Sequence, residues 1–204
     1  MNLPNKITLA RIFMIPVFVL LFFLEVLPFN YVIAAAIFLL AAFTDFLDGY
    51  IARSRNLVTN LGKFLDPIAD KVLVSTAFIV MLTRPTLFDS IGTWCVIVMG
   101  VFVAIILARE LIVSGFRIIA ADKKVVLAAD KLGKYKTFTQ DVAIAVLLVG
   151  MQLILLEDCA AVALWIGYIG MAFLAVATIL TIVSGVNYIV RNRRVLKDDA
   201  EEGK

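Results

Sequence analysis

Six apolar stretches, at about 7–28, 31–53, 62–83, 92–118, 137–156 and 160–190, occupy nearly the whole chain and leave only short breaks between them. About 20 residues of α-helix are enough to cross the roughly 30 Å hydrocarbon core of a bilayer. The pattern predicts an all-α integral membrane protein with six transmembrane helices. Hydrophobic residues make up 63% of the 204 and charged residues only 17%, against about 25% charged in soluble domains. No room remains for a large soluble catalytic domain. Residues 1–192 are expected to form a single membrane domain, and 193–204 a charged tail.

Several chemistries drop out at once. The chain has no histidine, which removes zinc sites of the HExxH type, Ser-His-Asp triads and a phosphohistidine intermediate. Two cysteines, Cys95 and Cys159, cannot build a four-cysteine metal site or a disulfide framework and read as small apolar residues. Met1 to Lys6 leads into a long apolar stretch with no small-residue cleavage pattern, so no cleaved signal peptide is expected.

Charge sets the orientation. With six spans both ends lie on one side, with the segments around 53–63 and 117–136. That side collects Lys6, Arg11, Arg53, Arg55, Lys63, Lys71, Arg109, Arg117, Lys123, Lys124, Lys131, Lys134, Lys136, Arg191, Arg193, Arg194, Lys197 and Lys204. These are 18 of the 19 basic residues, with Arg84 alone opposite. The positive-inside rule then puts both termini in the cytoplasm and any polar site at the cytoplasmic face of the cell membrane. The concentrated positive charge suits anionic lipid and phosphorylated metabolites, and no nucleic-acid partner is expected.

Acidic residues in the second and third stretches break the rule that charge stays out of hydrocarbon. They lie in Thr44-Asp45-Phe46-Leu47-Asp48-Gly49 and in Phe64-Leu65-Asp66-Pro67-Ile68-Ala69-Asp70-Lys71. Asp45 is 14 residues past Tyr31 and Asp70 is 14 before Arg84, so both sit about 21 Å from the outer boundary. Asp48 and Asp66, at 17 and 18 residues, match as well. Asp45 and Asp48 are spaced i, i+3, and Gly62, Asp66 and Asp70 i, i+4, i+8, so each set forms one helical stripe. If the two helices pack together, four carboxylates converge near the cytoplasmic boundary. Such a group must bind protons or hold a cation. Oxygen ligands alone suit Mg2+ or Mn2+, and two such ions would clamp a phosphoryl group undergoing displacement. Gly49 and Ala52 leave room for a bulky ligand, and Pro67 is placed to bend its helix. Two other readings compete: acids paired with Arg53, Lys63 and Lys71 to fix helix packing, and a cation or proton pathway. The apolar outer halves of these helices argue against the pathway.

These residues resemble the signature of the CDP-alcohol phosphotransferase family, D-x2-D-G-x2-A-R-x8-G-x3-D-x3-D. Asp45, Asp48, Gly49, Ala52, Arg53, Gly62, Asp66 and Asp70 keep every spacing over 26 residues. The resemblance implies that Asp45, Asp48, Asp66 and Asp70 hold two divalent ions and that Asp70 is also the general base. It implies a CDP-linked lipid donor, CDP-diacylglycerol, bound by Gly49, Ala52, Arg53, Thr59 and Gly62. Asn5, Thr8 and Arg11, three residues apart, resemble the family's N-terminal motif and would join that site. Alternatively, they belong to an interfacial helix whose Arg11 snorkels. A homodimer is also implied.

The acceptor is read from the second half. Arg109 and Glu110 lie 15 and 16 residues past Trp94, near the depth of the acids, and Arg117 falls on almost the same face as Glu110. The stretch Ala108 to Arg117, with Gly133 to Thr137, resembles the phosphatidylglycerophosphate-forming branch of the family. The implied acceptor is glycerol 3-phosphate, with Arg109, Arg117 and Lys134 around its phosphate and Glu110 holding an arginine. A cardiolipin synthase using phosphatidylglycerol is the rival within the family, and a cation transporter the rival outside it. Positive-inside charge with one local ion pair is the plainer account of the same basic residues.

Overall fold

The computed structural model describes residues 2–54, 59–123 and 131–193. Six long helices follow the six apolar stretches: α1 (Leu3–Phe23), α2 (Asn30–Ser54), α3 (Asn60–Leu82), α5 (Thr93–Asp122), α6 (Lys131–Leu153) and α7 (Ala160–Arg191). A short helix the apolar pattern did not suggest, α4 (Thr86–Ile91), follows Pro85 and fills the turn into α5. It is anchored by Leu87 and Phe88, both fully buried. A single 3-10 turn (Glu157–Cys159) joins α6 to α7, and no strand occurs among the described residues.

Among the described residues four helices are long and apolar enough to cross a membrane: α1, α2 over Asn30–Gly49, α5 over Thr93–Ala120, and α7. Helices α3 and α6, at 23 residues each, reach about 35 Å. Their apolar character is interrupted by Lys63, Asp66, Asp70 and Lys71 in one and by Lys131, Lys134, Lys136 and Asp141 in the other. Large apolar side chains lie open on the outside, among them Phe13, Ile97, Leu111 and Trp165 at 65–72% exposure. A surface of this kind is stable against lipid and costly against water.

The helices pair as antiparallel neighbours, with α6 against α7 the most extensive pairing, followed by α1 against α2. Phe18 lies 6.3 Å from Phe22 and 6.2 Å from Phe38, ring centre to ring centre, and Phe22 lies 5.0 Å from Tyr31. These aromatic contacts lock the C-terminal half of α1 onto α2. Arg84 pairs with Glu25 at 2.5 Å and stacks over Phe23 at 5.7 Å, tying the end of α3 to the end of α1.

One feature of the packing changes the picture drawn from the sequence. The acid stripes were expected to face each other across a direct α2–α3 contact. That contact is present, and α1 contacts both helices more extensively than they contact each other. The first helix is thereby brought into the polar end of the bundle, together with the last turns of α2 and the first turns of α3. The ends of α5 and α7 and the start of α6 lie at that same end, joined through side chains described next. Helix α3 runs unbroken through Pro67.

Candidate active site

The polar end is assembled on α1. Asn5, Thr8 and Arg11, one helical turn apart, are all buried, and each reaches a different part of the acidic motif. Arg11, fully buried, places Nη1 2.5 Å from Asp45 Oδ1 and Nη2 2.5 Å from Asp48 Oδ2. Its Nε donates to Thr44 Oγ1 at 3.4 Å. The two acids of α2 are one turn apart, so a single guanidinium fork spans both. Asp45 is nearly half exposed while Asp48 is buried, so Arg11 is above all the counter-ion of Asp48.

Thr8 connects α2 to α3. Its hydroxyl lies 2.7 Å from Asp66 Oδ1, 3.3 Å from Asp48 Oδ2 and 3.2 Å from the Pro4 carbonyl. One hydroxyl proton serves one acceptor at a time, and the short distance favours Asp66. Asn5 reaches the start of α3: the Thr59 hydroxyl donates to Asn5 Oδ1 at 2.8 Å and accepts from the Gly62 amide at 3.0 Å. Thr59 is thus the N-cap of α3, satisfying an amide that would otherwise lack a partner. Gly62 is required by this close approach, because a Cβ there would lie 2.9 Å from Asn5 Oδ1 and 3.3 Å from Thr59 Oγ1.

Of the residues singled out in the motif, Asp45, Asp48, Asp66, Thr8, Arg11, Thr59 and Gly62 are therefore joined by direct contacts. Gly49 follows Asp48 on α2. Ala52 and Arg53 continue the same helix, and their side chains lie outside the described residues, as do Arg55, Lys124 and the tail from 194. The donor set of four carboxylates, without histidine or thiolate, suits a hard divalent cation in kind. Among the described residues no three acidic groups are gathered into a ready ligand cage, and the charge of the α2 pair is met by Arg11.

Asp70, one turn beyond Asp66, opens onto a second part of the site. It lines a small cleft together with Lys71, Ser75, Glu110, Lys136 and Gln140. Glu110 Oε1 accepts from Arg109 Nη1 at 3.0 Å and from Lys136 Nζ. Lys71 Nζ donates to Ser114 Oγ, which in turn donates to the Glu110 carbonyl at 2.5 Å. Two cations, Lys71 and Lys136, and the Glu110 carboxylate thus line the cleft beside Asp70.

The acceptor residues expected from the sequence are only partly gathered here. Glu110 lines the cleft, and Arg109 reaches it only through its ion pair with Glu110. Arg117, two turns further along α5, turns to α7, where its Nε donates to Tyr188 Oη at 3.3 Å and its guanidinium lies 5.5 Å from the ring centre. Lys134 is solvent-exposed and is not among the residues lining the cleft. Lys136, which the sequence offers beside Lys134 as a cation for an anionic acceptor without assigning it to the phosphate, is buried and lines it. A signal was available: Met151, Leu147, Leu148, Ala143, Ile144 and Gln140 form the buried stripe of α6, and stepping back one more turn lands on Lys136 rather than Lys134.

The CDP-alcohol phosphatidyltransferase family model matches residues 1–183. A Bacillus subtilis protein named CDP-diacylglycerol–glycerol-3-phosphate 3-phosphatidyltransferase is 42% identical over 96% of this chain and 97% of its own. Relatives of the same name from Rickettsia bellii, 42% identical over 92% and 93% of the two chains, and from Shigella flexneri serotype 5b, 38% identical over 97% and 98%, are similar along nearly their whole length.

Proposed function

The chain belongs to the CDP-alcohol phosphatidyltransferase family, and on that premise we propose that it transfers the phosphatidyl group of CDP-diacylglycerol to glycerol 3-phosphate. The products are phosphatidylglycerophosphate, the precursor of phosphatidylglycerol and cardiolipin, and CMP. The observation that carries this reading is near full-length similarity to relatives that bear this activity in their names, in a chain that keeps all eight positions of the donor motif.

Asp45, Asp48, Asp66 and Asp70 would hold two Mg2+ or Mn2+ ions, which when bound neutralise charge on the diphosphate and on the departing CMP. The other roles belong to the chain's own residues. Gly49, Ala52, Arg53, Thr59 and Gly62 accommodate the cytidine nucleotide, and Thr8 and Arg11 complete the donor site. Asp70 accepts the proton of the acceptor's primary hydroxyl as that oxygen bonds to the phosphatidyl phosphorus and the bond from phosphorus to CMP breaks. A carboxylate can do this only within hydrogen-bond reach of the hydroxyl, and the cleft beside Asp70 offers that position. Arg109 and Lys136, both held in place by Glu110, meet the phosphate of the acceptor, with Arg117, carried on Tyr188, and exposed Lys134 adding positive charge around it. An anion flanked by cations in a site of low dielectric is bound far more strongly than in water.

All six long helices span the cell membrane in this reading, with both termini and the site at the cytoplasmic face. Basic residues support that orientation, and the protein works as a homodimer. Acyl chains of the donor lie along the apolar outer surface while the water-soluble acceptor enters from the cytoplasm. The test is CMP release by purified protein in detergent with CDP-diacylglycerol and Mg2+, offering glycerol 3-phosphate, phosphatidylglycerol, serine or inositol phosphate. Release should require glycerol 3-phosphate. Release with phosphatidylglycerol alone would make the protein a cardiolipin synthase, and ion flux without CMP release would make it a transporter.

A further inference from the structure

The last two turns of α7 take no part in the donor motif or the cleft, yet they hold both arginines of α5. Ser184 is fully buried, accepts from Arg109 Nη2 at 3.0 Å and donates to the Thr181 carbonyl at 3.3 Å. With its own proton committed to the backbone, its lone pairs face the guanidinium. The adjacent Gly185 lets Arg109 lie against α7: a Cβ there would come within 2.9 Å of Arg109 Cγ and 3.0 Å of Nε. One turn on, buried Tyr188 takes Arg117 on its hydroxyl and ring. Its own ring is fixed edge-on to Phe116 at 5.9 Å.

Arg109 is thus clamped on two sides, Nη1 by Glu110 and Nη2 by Ser184. Its Nε is buried, and among the described residues it has no hydrogen-bond partner. An arginine held this way is prevented from swinging toward Asp70 or out to solvent, and only a small displacement separates a productive phosphate contact from a lost one. We infer that Ser184, Gly185 and Tyr188 form a positioning floor on α7 that sets Arg109 and Arg117 for the phosphate of the acceptor, so that α7 governs acceptor affinity without touching the donor.

The inference rests on the reading of Arg109 as an acceptor-phosphate residue, and the experiment separates the two. Steady-state kinetics of Gly185→Ala, Ser184→Ala, Arg109→Ala and the double variant Ser184→Ala/Arg109→Ala are measured against both substrates. Gly185→Ala should raise KM for glycerol 3-phosphate about tenfold, and Ser184→Ala about threefold or more, with KM for CDP-diacylglycerol nearly unchanged. In the Arg109→Ala background, Ser184→Ala should add nothing, which a merely structural defect would not reproduce. Equal effects on both substrates, or full additivity in the double variant, would overturn the positioning role while leaving Arg109 in place. An unchanged acceptor KM in Arg109→Ala would overturn the parent reading and this inference with it. Should Gly185→Ala fail to fold, the serine cycle alone decides.

Discussion

Replacing Arg11 by methionine tests the architecture of the polar end without reference to turnover. The side chain is fully buried and bridges two carboxylates at 2.5 Å each. Methionine keeps much of the stem and removes the charge. The two limbs are unequal: Asp45 is 44% exposed, while the side chain of Asp48 is only 3% exposed. The exposed limb is worth about 0–1 kcal/mol after solvent screening. Stranding the buried Asp48 costs about 3 kcal/mol or somewhat more, the usual penalty for removing one partner of a buried pair. At about 2–4 °C per kcal/mol for a chain of this size, melting in detergent with EDTA should fall by about 6–12 °C. Adding Asp48→Asn to Arg11→Met removes the stranded charge and should return most of the loss. Tryptophan fluorescence of the purified protein follows the transition. A fall of less than about 2 °C, or a double variant no more stable than Arg11→Met, would refute Arg11 as the counter-ion of Asp48.

Other expected outcomes follow from the same geometry. Asp70→Asn should lower CMP release at least about a hundredfold while leaving CDP-diacylglycerol binding within about twofold; comparable losses in both would remove Asp70 from the base's role. Treatment with EDTA should abolish release and Mg2+ or Mn2+ restore it, with retained activity after exhaustive chelation contradicting the assignment of the four aspartates. Arg117→Ala should raise the glycerol 3-phosphate KM about tenfold, in line with loss of a charged hydrogen bond, and an equal rise for the donor would argue against a phosphate contact. Thr59→Val should destabilise α3 by about 1 kcal/mol through loss of its cap, read as a lower melting temperature, and an unchanged transition would show that the cap carries no stability.

The helices were legible because hydrophobicity in a membrane protein is nearly one-dimensional: each apolar stretch of span length closes its own hydrogen bonds and needs no partner to be recognised. The acid stripes were legible because charge in such a stretch is costly enough to stand out. Which helix would pack against both was not. Asn5, Thr8 and Arg11 follow one face of α1, but nothing local says that this face meets Asp45, Asp48, Asp66 and Thr59. The α2–α3 contact drawn from matched depths is present, and each of the two helices packs more extensively on α1. Depth alone also could not separate Lys134 from Lys136, two residues apart; only the buried stripe of α6 does. Ser184 and Gly185 carried no signal, being ordinary small residues in an apolar helix until Arg109 is seen lying on them. The short α4 was hidden for the opposite reason, since six residues cannot display a period.

The most direct measurement of the central claim is identification of the lipid product by mass spectrometry. Purified protein is given CDP-diacylglycerol, Mg2+ and glycerol 3-phosphate labelled in its glycerol carbons, with Asp70→Asn as the blank. The account predicts one new lipid, phosphatidylglycerophosphate carrying the label, formed in step with CMP and absent from the blank. Unlabelled products, labelled lipid in equal amount from the blank, or CMP released without any labelled lipid would contradict it.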